Sequence, residues 1–404
     1  MTISVTTVAV LSLHSSPLAL PGVGDSGGMN VYVRELVSSL AQAGVASTVY
    51  VRRWSEDLPA VVEVEPGFSV VHVDAGPVDL PKEKLESIVD EFVDGVRAHL
   101  VTAEPVDLIH ANYWLSGLAG HRLKHEFELP LVSTFHTLAR VKAITGDPEP
   151  EHRIEAEAEV IGCSDVILAS GVAEADDLVA HYGARRDRIE IVPPGVDHAF
   201  FAPGDRAGAR AALGLGDGRV LLFVGRIQPL KRLTLAVEVL ALLDDPDATL
   251  VVVGGPSGTQ GEAELAEALA IAERTGVRDR VRVIPPQPHH LLSTYYRAAD
   301  VVLVPSRSES FGLVALEAAA CGTPVVAAAV GGLTTIVEPG RTGELVEGDG
   351  ADAYAAAVAP ILADPARAAE LGAAAARRAS TYTWSTTAGR LRRVYADLAA
   401  RSPV

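Results

Sequence analysis

The stretch DVVLVPSRSESFGLVALEAAACGTPVVAAA, Asp300 to Ala329, decides the fold. Val301 to Val304 place apolar side chains at successive positions, the pattern of a strand covered on both faces. A polar loop follows, and LVALEAAA then reads as a helix that Gly322 and Pro324 bring to an end. The second run, PVVAAA, reads as another buried strand. Strand, helix, strand with this apolar character implies a parallel pair joined by a crossover. Glu317, Thr323 and Pro324 interrupt the apolar run from Leu313 to Leu333, so it reads as helix plus strand and not as a membrane span.

The same alternation extends in both directions. Upstream lie RVLLFVG, ATLVVVGG and VRVIPP, and the first half of the chain carries VAVLSL, ASTVYV, FSVVHV, VDLIHA, LPLVSTF, DVILAS and RIEIVPP, separated by helical segments. Two such sets predict two doubly wound α/β domains, Rossmann-like, facing each other across a cleft. A Gly/Pro-rich stretch over 198–218 suggests the boundary, giving domains 1–200 and 201–384 with a final helix over 385–404 that returns to the first domain. At 404 residues, two cores are the natural expectation.

Composition excludes several function classes. A net charge of −18 argues against nucleic acid and against an anionic membrane as partners. Cys163 and Cys321 lie far apart and outside any Cys-x-x-Cys pair, which suits reduced core residues in a cytoplasmic protein. The first basic residue is Arg34, so the N-terminal segment lacks the positive leading region of a secretory signal. In an acidic protein, an anionic ligand has to be met by a local group of cations.

Three loops carry candidate chemistry. In HSSPLALPGVGDSGGMNVYV, Gly22, Gly24 and Gly27 spell G-x-G-x-x-G, which raises a dinucleotide-binding oxidoreductase as an alternative. Eight residues separate the first strand from Gly22, and the second strand ends in Arg52 and Arg53 in place of an acid, so only an NADP enzyme would fit. The better reading lets Gly27 and Gly28 bring backbone N–H groups to phosphate at a helix start. In VGRIQPLKR, Arg226 and Lys231 follow a strand and suit the charge of a departing nucleotide diphosphate. Glu309 and Glu317 stand eight residues apart, roughly 12 Å along a helix. That separation suits one carboxylate on sugar hydroxyls and the other on a ribose diol.

The Glu pair with VGR…K upstream resembles the retaining glycosyltransferases of family four, which have the GT-B fold. The segments GDSGGMNVYV, ANYWLSG, FHTL, GRIQPLK and SESFGLVALEA are similar to the branch of that family that starts mycothiol biosynthesis. The resemblance runs from about His14 to the end of the chain. It implies transfer of N-acetylglucosamine from UDP-GlcNAc to 1D-myo-inositol 3-phosphate. It also implies an acceptor site of His14, Asp25, Ser26, Gly27, Met29, Asn30, Lys82, Tyr113, Thr137 and Arg153. Lys82, Tyr113, Thr137 and Arg153 would hold the acceptor phosphate. The donor would lie on Gly28, Arg226, Lys231, Gln287, Glu309, Ser310, Phe311, Gly312, Leu313 and Glu317, with His136 against the reacting centre.

The chain departs from the family pattern at Leu20, Asn112, Phe135 and His152, all on the acceptor side. A paralogue acting on another sugar phosphate or an aminocyclitol, a relative of sucrose-phosphate synthase, or a binding module that has lost activity are the competing readings. Retention of both Glu, both cations and His136 argues against the last. No Asp-x-Asp element stands where a catalytic metal is expected, so no cofactor is predicted. The resemblance allows a structural Mg²⁺ near Tyr296, Arg297, Ala299 and Thr323, and a homodimer.

Overall fold

A computed structural model describes residues 5–22, 26–147 and 149–401. Among the described residues the chain forms two sheets, each within its own compact unit. The first unit holds residues up to Leu18, then Met29–Pro194, then the segment from Trp384 onward. The second holds Ala19–Gly28 and Gly195–Thr383.

The strands of the first unit are β1 (Thr7–Leu11), β2 (Ala46–Arg52), β3 (Val61–Glu65), β4 (Phe68–Val73), β5 (Leu108–Asn112), β6 (Leu131–Thr134), β7 (Val166–Ala169) and β8 (Ile189–Ile191). They lie in the order β3-β4-β2-β1-β5-β6-β7-β8, parallel except for β3 against β4. The second sheet contains β9 (Val220–Val224), β10 (Thr249–Val253), β11 (Val281–Ile284), β12 (Val301–Val304), β13 (Val325–Ala328) and β14 (Gly343–Val346). Its order is β11-β10-β9-β12-β13-β14, all parallel. The opening stretch thus forms β12, a helix over Leu313–Ala320 and β13, with every residue of both strands buried.

The sequence places the break after residue 200, whereas the main segment of the second unit runs from Gly195 and Ala19–Gly28 joins it. The reason is local: Val196 bridges Thr383, and Phe201 is fully buried in the second core. The 198–218 stretch is not all linker, since Arg206–Ala212 forms a helix. The last helix, Trp384–Arg401, belongs to the first unit. Trp384, Ala388, Leu391, Tyr395 and Leu398 recur at three- and four-residue steps and pack into the core beside Val8, Tyr32 and Val49. No described helix is long and apolar enough to cross a membrane.

Candidate active site

In each sheet the strand order reverses once: between β1 and β5 in the first, and between β9 and β12 in the second. Loops leaving the carboxyl ends of such strand pairs form the ligand crevices of open α/β sheets. His14 follows β1 and Tyr113 follows β5; Arg226 and Lys231 follow β9, and Glu309 to Gly312 follow β12. These residues lie in loops at the two switch points, whereas Lys82 follows β4, His136 and Thr137 follow β6, and Gln287 follows β11.

In the second unit, Lys231 ends a short 3₁₀ turn, Pro229–Lys231, and its Nζ lies 2.5 Å from Glu309 Oε2. The pair keeps about a fifth of its side-chain surface exposed, at 24% and 20%. Arg232, the next residue, is left-handed at φ 59° and is held by Asp349, through Nη1 at 2.9 Å to Oδ1 and Nη2 at 2.6 Å to the carbonyl. This strained backbone, worth roughly 1–3 kcal/mol, turns the chain sharply from the Lys231 loop into the helix Leu233–Leu242. Gly27 lies against Arg226: a Cβ there would stand 2.9 Å from Arg226 Nε. Gly28, exposed at the start of the helix Gly28–Gln42, would bring a Cβ within 3.5 Å of Leu313. Asp25, which completes this loop in the sequence reading, lies outside the described residues, as does Gly24.

The Glu309 loop is fixed from behind. Gly332 N donates to Glu309 O at 2.9 Å, and a Cβ on Gly332 would meet Phe311 Cα at 2.3 Å. Gly312 takes φ 97° to start the helix that carries Glu317. Glu317 is buried, accepting from Tyr296 OH at 2.8 Å and meeting His289 Nε2 at 2.7 Å. Ser310 and Leu313 are half-buried, Phe311 and Gly312 buried, and Gln287 folds back to donate to the Pro285 carbonyl at 2.9 Å. Substituting Gly332→Ala forces backbone against backbone. The expected result is a loss of more than about 2 kcal/mol of stability, read by denaturant unfolding.

In the first unit, three sequence-named residues come together around one guanidinium. Arg153 Nη2 donates to Thr137 Oγ1 at 3.0 Å, and its Cζ lies 5.0 Å from the centroid of the Tyr113 ring. The His14 ring lies tilted against Tyr113, with 4.3 Å between ring centroids and 42° between the ring planes. Lys82 opens the segment Lys82–Ile88, which is joined to the Arg153 helix by Glu86 and His152 at 3.0 Å. Asn30 turns inward instead: its Oδ1 accepts from Ser15 Oγ at 2.7 Å and its Nδ2 donates to the Ser16 carbonyl at 2.6 Å. At 1% exposure it pins the loop after β1, and Met29 beside it packs on the core. The Ser26 carbonyl accepts from Gly22 N at 2.8 Å.

His136 has φ 62° and Tyr113 φ 75°, two non-glycine residues in the sparsely populated left-handed region at adjacent strand ends. His136 Nε2 lies 2.9 Å from Asn112 Oδ1, and Tyr32 meets its ring edge-on at 4.9 Å. Burial first, and neighbouring His110 second, push the His136 imidazole down to about 3, so it is neutral near pH 7. His110 is fully buried between Tyr395 OH at 2.8 Å and Thr134 Oγ1 at 2.9 Å, and burial lowers it likewise to about 3. Its folded pKa lies below its unfolded value. Its contribution to stability is therefore complete above about pH 6.5 and lost as pH falls from there toward 3. Stability is expected to drop by roughly 1.4 kcal/mol per pH unit from this group, and His110→Gln should flatten that slope in chemical denaturation.

Thr323 Oγ1 donates to the Tyr296 carbonyl at 2.7 Å, and the Arg297 guanidinium is taken by the carbonyls of Ala202 and Phe200. Those four residues offer neutral oxygens and no carboxylate, a poor match for a divalent cation. Sequence reasoning missed Asn112, Tyr32, His289 and Tyr296 as partners of site residues, and Glu149 and Glu157 as partners of Arg153. Only the two Arg153 pairs had a sequence signal, the four-residue spacing to Glu149 on one side and to Glu157 on the other.

Residues 26–200 match the Glycosyltransferase Family 4 model and residues 205–378 the Glycosyl transferases group 1 model. D-inositol 3-phosphate glycosyltransferase of Geodermatophilus obscurus is 48% identical over 96% of this chain and 88% of its own length. The protein of the same name from Kribbella flavida is 48% identical over 94% of this chain and 93% of its length. Sucrose-phosphate synthase from Thermosynechococcus elongatus superposes with TM-score 0.93 at 34% identity, covering 98% of this chain and all of that one. Two doubly wound units, near-full-length likeness and the strand-end loops together make this chain a member of the family 4 glycosyltransferases, with the two Rossmann-like units of the GT-B fold.

Proposed function

We propose that this glycosyltransferase moves N-acetylglucosamine from UDP-GlcNAc to 1D-myo-inositol 3-phosphate, with retention at the anomeric carbon. The observation that carries the reading is the grouping of Arg153, Thr137 and Tyr113 beside the switch point of the first sheet. A cation, an aliphatic hydroxyl and a phenol in one cluster suit a phosphate dianion. The near-full-length relatives with inositol 3-phosphate in their name support it. Lys82 would add a second cation.

On the donor side, Arg226 and Lys231 meet the diphosphate, with backbone N–H groups at Gly28 and at the start of the Leu313–Ala320 helix. Glu309 takes the sugar hydroxyls and Glu317 the ribose, where free lone pairs remain beside its His289 and Tyr296 contacts. Backbone near Gln287 reads the uracil. The acceptor hydroxyl attacks the face that the diphosphate leaves, and the leaving β-phosphate takes its proton. Neutral His136 can hydrogen-bond near the reacting sugar without adding a charge. The cations rather than a metal balance the leaving group, so EDTA is expected to leave turnover unchanged. An acceptor paralogue with another sugar phosphate is the second reading, favoured by the likeness to sucrose-phosphate synthase.

A UDP-release assay with UDP-GlcNAc and a panel of acceptors tests the reading. Release with 1D-myo-inositol 3-phosphate, and none with myo-inositol or fructose 6-phosphate, is expected. Release with fructose 6-phosphate alone would move the assignment to the second reading.

A further inference from the structure

Arg153 is not a free cation. Its Nε lies 2.9 Å from Glu157 Oε1 and its Nη1 2.8 Å from Glu149 Oε1. The two carboxylates differ in what else holds them. Glu157 is fully buried, and its Oε2 also accepts from Ala139 N at 2.9 Å and from Tyr182 OH. Three donors and no exposure make it a fixed support. Glu149 keeps 19% of its side chain exposed, on the short segment between the helices Ala139–Ile144 and Glu151–Cys163. Its second partner is Lys142, which also reaches Asp147 at 2.9 Å.

We infer that Glu149 is an internal anion occupying the acceptor-phosphate position on Arg153, and that it sets the site's selectivity by having to be displaced. The inference rests on the reading of Arg153, Thr137 and Tyr113 as phosphate ligands. The exchange leaves Glu149 with a cation. When a dianion arrives, Glu149 leaves one cation and stays with the other, Lys142, already in contact with it. Arg153 keeps Glu157 and the Thr137 hydroxyl, and turns Nη1 to the phosphate. A neutral cyclitol has nothing to put in place of the carboxylate, and a singly charged ligand only equals it. A dianion with a second and third oxygen for Thr137 and Tyr113 exceeds it. The device therefore excludes the unphosphorylated acceptor by competition as well as by lost contacts. Burial alone would raise the Glu149 carboxyl, yet Arg153 and Lys142 hold it below its usual range, so it remains ionised at neutral pH.

The test uses the full chain and two probes, inorganic phosphate and 1D-myo-inositol 3-phosphate, titrated calorimetrically at neutral pH. Glu149→Gln, which preserves shape but removes the competing charge, is expected to bind both probes roughly three- to tenfold more tightly. Thr137→Val, which removes a ligand, is expected to bind both more weakly. Weakening by Thr137→Val with no gain, or a loss, in Glu149→Gln would overturn the displacement and leave the phosphate site standing. No change in either variant would overturn both. Tightening of the ester alone would also count against it, since competition for Arg153 acts on the phosphate group common to both probes.

Discussion

Lys231→Ala is expected to lower kcat by about 10²–10³ while leaving the protein folded. The ammonium sits at the carboxyl end of β9, at the switch point of the second sheet, 2.5 Å from Glu309. Its pair with Glu309 is partly solvated, so losing it costs about 1 kcal/mol or less in stability. In the proposed chemistry its value is much greater in the transition state, when charge builds on the departing phosphate and the lysine can leave Glu309 for it. The loss should therefore appear in kcat with both substrates saturating, more than in the donor KM. Lys231→Arg tests position against charge, because the planar guanidinium cannot occupy the same point. Undiminished turnover in Lys231→Ala would remove this residue from the mechanism.

Arg153→Gln is the second large effect, and it acts on two properties at once. Binding of the phosphorylated acceptor should fall by about 10²-fold or more, since the charge-assisted ligand is gone. Stability should fall as well, by about 3–5 kcal/mol, because buried Glu157 loses the cation beside it. The double variant Arg153→Gln, Glu157→Gln separates the two. It removes the uncompensated charge and should recover much of the stability in thermal unfolding, while acceptor binding stays lost. Recovery of binding together with stability would mean that Arg153 is structural only.

The fold was legible because most strands are unbroken apolar runs, and a run buried on both faces needs no partner to be recognised. Two strands were not. VVEVE alternates Val with Glu, leaves Val61 51% exposed and lies antiparallel at the sheet edge as β3. GELV is a four-residue piece at the parallel edge of the second sheet, β14, whose first residue, Gly343, packs directly against the Val325 backbone. The candidate loops could be picked out because glycines and cations at strand ends have a direct physical reading. The partners were not. Asn112 reaches His136 across 24 residues and His289 reaches Glu317 across 28, and no periodicity links such positions. Asn30, named from its loop context as an acceptor ligand, is engaged with Ser15 and the Ser16 carbonyl, contacts that no sequence spacing announces.

The central claim, sugar transfer from a nucleotide donor to a phosphorylated cyclitol, is tested most directly by product analysis. The protein is incubated with UDP-GlcNAc and 1D-myo-inositol 3-phosphate, with bare inositol and UDP-glucose as parallel arms, and the products are read by mass spectrometry and proton NMR. The account predicts one product, inositol phosphate plus one N-acetylhexosamine, with the α-anomeric linkage of the donor kept and none formed from bare inositol. Transfer to bare inositol at an equal rate, or a β-linked product, would contradict it.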